Sequence, residues 1–162
     1  MGRHDSSIVD KFKKLWIYYI WQSLLAAISL FIIVIALGKD QMVLISAMGA
    51  TAFIVFAMPK AASAQTRNVI GGHLVGLGVG SLFYLISMSY LIEYPLVVGI
   101  AIFLMVALDF EHPPAVGTAL AVVMNEESLS VRDLNIFVTV MVGAVVLYQC
   151  RYYLRGYLKD LI

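Results

Sequence analysis

WIYYIWQSLLAAISLFIIVIAL, residues 16–37, runs for 22 residues without a charged side chain. A hydrocarbon core roughly 30 Å thick needs about 20 apolar residues of helix, so this stretch is long enough to cross a bilayer. It is too long for the core of a cleaved leader, roughly 7–15 residues, and is expected to be retained. Five further apolar runs follow at 42–58, 69–92, 95–108, 113–124 and 134–153. The third and sixth can span unaided. The other three are marginal: at about 1.5 Å per residue the run at 95–108 covers about 21 Å and that at 113–124 about 18 Å. Those two and 42–58 are expected to be short spans or re-entrant half-helices.

Composition agrees with this class, since 62% of the 162 residues are hydrophobic and only 13% are charged. A soluble domain could not hide so much apolar surface, whereas lipid accepts it. The chain is therefore predicted to be an all-α polytopic membrane bundle of about six segments. The expected organisation is a cytoplasmic segment at 1–15, a transmembrane domain at 16–153 and a cytoplasmic tail at 154–162. With 11 basic and 10 acidic residues the net charge is near zero, and no nucleic-acid partner is implied. Cys150 stands alone, which excludes an internal disulfide and any cysteine-clustered metal site.

The placement of charge orients the bundle, because Lys and Arg near span ends collect on the cytoplasmic side. With the amino terminus inside, Arg3, Lys11, Lys13, Lys14, Lys60, Arg67, Arg151, Arg155 and Lys159 all fall inside, and only Lys39 and Arg132 outside. Both termini are thus expected in the cytoplasm of a cell whose inner membrane holds the protein. Trp16, Tyr18, Tyr19 and Trp21 open the first span, and Tyr148, Tyr152, Tyr153 and Tyr157 close the sixth. They read either as interfacial aromatics on that face or as core aromatics. Sliding the chain by 68 positions sets Gly49-Ala-Thr-Ala over Gly117-Thr-Ala-Leu, each in a short second segment of its half. Three segments per half would give the 3+3 inverted repeat of many transporters; chance similarity in a low-diversity alphabet gives the same match.

Three local signals carry chemistry. The first is Gly72-x-x-x-Gly76-x-x-x-Gly80, a smooth helix face that permits close helix approach. It serves packing alone, or a seam between copies in a homo-oligomer, or a substrate path. The second is Glu111-His112-Pro113-Pro114, between Asp109 and Gly117-Thr118. Prolines cannot continue a helix arriving from Leu108, but they can begin one whose positive end faces the break. With room at Gly117 and a hydroxyl at Thr118, that end suits an anion; the plain alternative is an interfacial turn with solvated carboxylates.

The third signal is Ser63-Ala-Gln65-Thr-Arg67-Asn68, followed by His73. Gln65 and Asn68, three apart, would share a helix face. His73 lies deeper in an apolar stretch, where an ionisable side chain is costly and so a functional candidate; otherwise it is a neutral histidine donating one hydrogen bond across the bundle. Asp109, Glu111, His112 and His73 lack the spacing of a helical metal site, and no P-loop, nucleophile elbow or dinucleotide fingerprint is present. No enzyme activity, metal or cofactor is therefore expected.

GATAFIVFAMPKAASAQTRNVIGGHLVG at 49–76 and EHPPAVGTAL at 111–120 resemble the two signature regions of the HPP family of integral membrane proteins. The coupling of AQ-x-x-N-x-x-GGH to His-Pro-Pro, in order and inside matching segments, makes the resemblance specific. It implies transport of a small anion, since members in cyanobacteria and chloroplasts are associated with nitrite. The family pattern covers Gly49, Ala50, Ala64, Gln65, Asn68, Gly71, Gly72, His73, His112, Pro113, Pro114 and Thr118. The Lys60-Ala-Ala-Ser stretch departs from proline-richer versions. Some relatives append soluble regulatory domains such as CBS pairs; this chain ends soon after its last apolar run, and nucleotide regulation through such a domain is not expected.

The leading expectation is a transporter or channel for a small inorganic anion such as nitrite, bound by Ser63, Gln65, Arg67, Asn68, His73, His112, Pro113, Pro114, Gly117 and Thr118. A coupled proton would reside on His73 or His112. The competing classes are a membrane-embedded enzyme using His112, Glu111, Asp109 and His73, and a structural or sensory module assembled through its glycines. The topology is directly testable: reporter fusions after Lys60 and after Lys159 should report the same, cytoplasmic, side of the membrane. Opposite sides would refute it.

Overall fold

The computed structural model describes residues 8–37, 41–86, 88–124, 143 and 152. Its elements are α1 (Ile8–Leu37), α2 (Met42–Ala57), a 3₁₀ turn (Ala62–Ala64), α3 (Thr66–Tyr84), α4 (Tyr90–Ala107) and α5 (Pro114–Val123). The fold is a helical membrane bundle, with no strand among the described residues. The apolar stretches Phe12–Ile35 of α1 and Tyr90–Ala107 of α4 are long enough to cross a bilayer. Their large side chains face outward: Phe31, Ile35, Leu91 and Phe103 are all exposed, as a lipid-facing surface requires. The sixth apolar run at 134–153 and the tail at 154–162 lie outside the described residues, apart from Gly143 and Tyr152, and with them the comparison of two halves. Arg132, Glu126 and Glu127 lie outside them too.

Two boundaries differ from the hydropathy reading. The run at 69–92 is not one helix: α3 ends at Tyr84, and α4 begins at Tyr90, before Pro95. Leu85, Ile86, Met88, Leu91 and Ile92 are all apolar, so composition is blind to this turn. The backbone makes it. Ile86 N–H bonds the Phe83 carbonyl at 2.8 Å, and the extended Ser89 (φ −64°, ψ 132°) offers its carbonyl to Ile92 and Glu93. Pro95 is accommodated in the second turn of α4 with the loss of one backbone donor. At 18 residues α4 is about 27 Å long and not a short segment. α5, with ten residues, is about 15 Å long and remains one.

The end of α4 also differs from the expectation that the prolines stop it. Asp109, with φ 58°, is in the left-handed region one residue past the cap. The N–H of Phe110 bonds the carbonyl of Met105 at 2.8 Å, and that of Asp109 bonds Val106 at 3.2 Å. This pair of bonds is a Schellman motif, with aspartate where glycine is commonest. The helix is already closed when the chain reaches His112. Pro113 and Pro114 then start α5, in the first-turn positions where a missing N–H costs nothing.

α3 is the centre of the bundle. Gly72, Gly76 and Gly80 of α3 lie against α5 and the residue run that leads into it, and the contacts advance in the same direction along both helices, so α3 and α5 run parallel. A Cβ at Gly72 would come within 2.6 Å of His112 Cβ; one at Gly76 would strike the Ala115 carbonyl oxygen; one at Gly80 would come within 2.6 Å of the Ala119 carbonyl oxygen. A Cβ at Gly78 would meet nothing within 4 Å. The glycine face is therefore occupied by α5 within the chain. On its other sides α3 meets α4 through Val79, Phe83, Val97, Ala101 and Met105, and meets α2 through Ala52, Val55, Phe56 and Val69. α1 packs antiparallel to α2, where Gln22 Nε2 donates to the Phe56 carbonyl at 2.8 Å.

Overpacking so close a contact costs typically about 1–3 kcal/mol or more. Gly76→Leu should therefore lower the thermal stability of the detergent-solubilised protein, whereas Gly78→Leu should leave it near wild type. Equal losses in the two variants would contradict this packing.

Candidate functional site

The parallel packing of α3 and α5 recesses the break between α4 and α5 into the bundle. His112 lies beside Gly72, six residues into α3, or about 9 Å below its start. His112 thereby comes next to His73, with ring centroids 5.0 Å apart and planes at 60°. α2 closes the third side, since Ala47 fills the space beside Gly117: a Cβ at Gly117 would come within 2.9 Å of Ala47 Cβ. Gly117 thus serves helix approach and does not leave room for an ion. The same approach presents Thr51, one turn further along α2, to both imidazoles.

The result is one continuous chain of polar contacts. His112 Nδ1 donates to the Ser63 carbonyl at 2.8 Å, which requires a hydrogen on Nδ1, because a carbonyl can only accept. His112 Nε2 is 3.1 Å from Thr51 Oγ1, and His73 Nε2 is 3.2 Å from the same oxygen. His73 Nδ1 is 2.8 Å from Thr118 Oγ1. Thr51 Oγ1 also lies 3.0 Å from the carbonyl of Ala47, one turn back on its own helix. Thr51, His73, His112 and Thr118 each have 0% exposure. Four polar side chains are thus sealed among apolar helices, with every ring nitrogen partnered.

The other residues expected at the site surround this core or stand apart from it. Asn68 is buried, and its Nδ2 donates to the Glu111 carbonyl at 3.4 Å, tying α3 to the break. Ser63 contributes its backbone carbonyl to His112, not the hydroxyl donor expected of it. Gln65 is exposed and extended; it precedes α3 and caps it with no side-chain bond, so it shares no helix face with Asn68. Arg67 is at the exposed mouth, where it meets Asp109 at 2.6 Å, donates to the Leu108 carbonyl at 3.3 Å and lies 5.0 Å over the Phe110 ring. Pro114 is buried and Pro113 exposed.

Donors for an anion are distributed differently from the sequence reading. Pro113 and Pro114 have no N–H, and the next two N–H groups of α5 are taken, Ala115 by the His112 carbonyl at 2.9 Å and Val116 by that of Pro113 at 3.2 Å. The first two N–H groups of α5 are therefore not open donors, although its dipole still favours negative charge. The donors that remain near the break are side chains: the imidazoles, the two threonine hydroxyls and Asn68. Thr51 was not among the residues expected here. Its signal was present in Gly49-Ala-Thr, the stretch that sliding by 68 positions sets over Gly117-Thr-Ala, although the two threonines fall one position apart.

Asp109 and Glu111 are exposed at the mouth, so the carboxylates do not join the imidazoles in one acid/base cluster. Among the described residues no three His, Cys, Asp or Glu side chains converge as a metal site would need. An open groove of about 470 Å³ runs along Thr66, Arg67, Ile70, Gly71, Leu74, Val75 and Phe110, beside the mouth and not into the imidazole core.

Residues 12–155 match the family described as HPP, transmembrane region. Two proteins of Dictyostelium discoideum, each described as a transmembrane protein, are similar to this chain. One is 34% identical over 116 residues, covering 69% of this chain and 41% of its own length. The other is 32% identical over 116 residues, covering 68% of this chain and 37% of its own length. The chain thus spans well under half the length of these relatives. No solved structure matches it.

The sealed contacts make a stability prediction. Thr118→Val strips the partner from His73 Nδ1 in a site that water does not reach, and should cost roughly 1–2 kcal/mol on unfolding in mixed micelles. Gln65→Ala, at an exposed position without a bond, should stay within about 0.5 kcal/mol of wild type. Equal effects would mean that the buried contact contributes nothing.

Proposed function

The chain belongs to the HPP family of transmembrane proteins, and we propose that it transports a small inorganic anion, nitrite being the first candidate, together with a proton carried by the His73–His112 pair. The observation that carries this reading is the sealed chain of two imidazoles and two hydroxyls at the junction of α2, α3 and the α5 break. Packing alone would be served by apolar side chains. Ionisable groups at such depth are expensive, and pairs of them mark ion or proton pathways in membrane proteins.

The chemistry suits an anion accompanied by a proton. An unpaired anion in a low-dielectric interior costs many kcal/mol, and a single helix dipole cannot offset that. A proton on the imidazole pair supplies both a compensating positive charge and an additional N–H donor. Thr118 and Asn68 add neutral donors, while Arg67 at the exposed mouth is paired with Asp109. All four core side chains are sealed, so passage through this junction requires it to open. An embedded enzyme finds less support, because Asp109 and Glu111 stand away from the imidazoles.

The test is flux in proteoliposomes over nitrite, nitrate, formate, bicarbonate and chloride, with and without a pH gradient. Asn68→Ala, His73→Ala and His112→Ala should each lower anion flux about tenfold or more, the equivalent of about 1.4 kcal/mol. Glu126→Ala and Glu127→Ala should change it little. Wild-type flux in all three first variants at equal reconstituted protein would place the pathway elsewhere, and absence of flux for every anion would favour a structural or sensory module.

A further inference from the structure

Resting on the transport reading but deepening it, we infer that Thr51 is a proton relay between His73 and His112. The argument is a count of hydrogens. Thr51 Oγ1 has one hydrogen and three neighbours within bonding distance: the Ala47 carbonyl at 3.0 Å, His112 Nε2 at 3.1 Å and His73 Nε2 at 3.2 Å. His112 must hold its hydrogen on Nδ1, facing the Ser63 carbonyl at 2.8 Å. When that ring is neutral, Nε2 is a bare acceptor, and among the described residues only the Thr51 hydroxyl is placed to donate to it. Thr51 then has lone pairs left for His73, so His73 carries its hydrogen on Nε2. Its bare Nδ1 receives the Thr118 hydroxyl at 2.8 Å. No other arrangement of two neutral rings satisfies all four ring nitrogens; in it the Thr51 hydrogen goes to His112 and not to the Ala47 carbonyl. The two histidines are therefore opposite tautomers, and every donor points the same way, from Thr118 through His73, Thr51 and His112 to Ser63.

Such an aligned chain passes a proton without moving a heavy atom. A proton arriving at His73 Nδ1 makes that ring an imidazolium. The Nε2–H bond of His73 then breaks as a new O–H bond forms at Thr51; the old O–H bond of Thr51 breaks as an N–H bond forms at His112 Nε2. The positive charge has moved from His73 to His112, and the Thr51 hydroxyl now points back at His73. When both Nε2 atoms carry hydrogen, the hydroxyl turns to the Ala47 carbonyl and accepts from both rings. The hydroxyl thus has a distinct acceptor for each of the three protonation patterns.

Among the described residues, the surroundings leave this exchange to the three groups themselves. α2 and α5 carry no other titratable side chain. α3 adds only Arg67 near the pair, and the break adds Asp109 and Glu111, all three exposed at the mouth. Lys60, exposed, lies before the 3₁₀ turn, and Glu93 is in the first turn of α4, at the opposite end from the break.

The test is ¹⁵N NMR of the histidine-labelled chain in lipid nanodiscs, with the two rings assigned by His73→Asn and His112→Asn. The wild type, with both rings neutral, should show His112 as the Nδ1–H tautomer and His73 as Nε2–H; on acidification the two rings should shift together with a shared midpoint. Thr51→Val, which keeps the branched shape but removes the hydroxyl, should separate the two midpoints, and Thr51→Ser should restore the shared one. The same tautomer on both rings in the wild type would overturn the relay, whatever the variants do, and so would a Thr51→Val titration identical to wild type. Opposite tautomers with a shared midpoint, in a protein that moves no anion, would uphold the relay and refute the transport reading.

Discussion

The close approach of α3 to α5 is the constraint on which the rest depends. A membrane interior gives helices no hydrophobic reason to associate, so contact must come from surfaces smooth enough to touch. Gly72, Gly76 and Gly80 provide one such surface, and Ala115 and Ala119 of α5 the other. Since the two helices run parallel, this contact draws the start of α5 down into the bundle along with the residues that precede it. His112 becomes a neighbour of His73 for that reason alone. The small residues Ala47 and Gly117 repeat the device between α2 and α5, and they place Thr51 between the two rings.

A polar junction so enclosed is tolerable only because it is saturated. All four ring nitrogens of the pair have partners, and the two threonines satisfy the rings without adding a charge. Partial satisfaction would cost more than an apolar replacement. In the proposed cycle, the same saturation makes the site sensitive to one added proton, which leaves one more donor than the neutral chain needs. An anion is a natural acceptor for that surplus.

Much of this was legible in the chain. The apolar runs are too long and too numerous for a soluble domain, and two prolines after a histidine mark a helix start. The glycine triplet marks a face. What hydropathy could not show was the turn at 85–89, because both of its flanks are apolar and it is made by backbone bonds alone. The αL closure at Asp109 was hidden too, since aspartate there signals a cap only once its φ is known. In the site, His73 and His112 stood out as ionisable groups in apolar surroundings. Thr51 did not, because a threonine inside a helix ordinarily turns its hydroxyl to the carbonyl one turn back and needs no further account. Gly117 was read as open space because nothing in the linear order says that Ala47 lies opposite it.

The transport reading requires the anion and the proton to move together through one junction. The most direct measurement is simultaneous uptake of nitrite and protons by proteoliposomes holding the wild-type chain, with the transported charge recorded in the same vesicles. Joint passage predicts one proton per nitrite, no net current, and nitrite accumulation driven by an inward proton gradient alone. Nitrite entry that carries current and takes up no protons would contradict it.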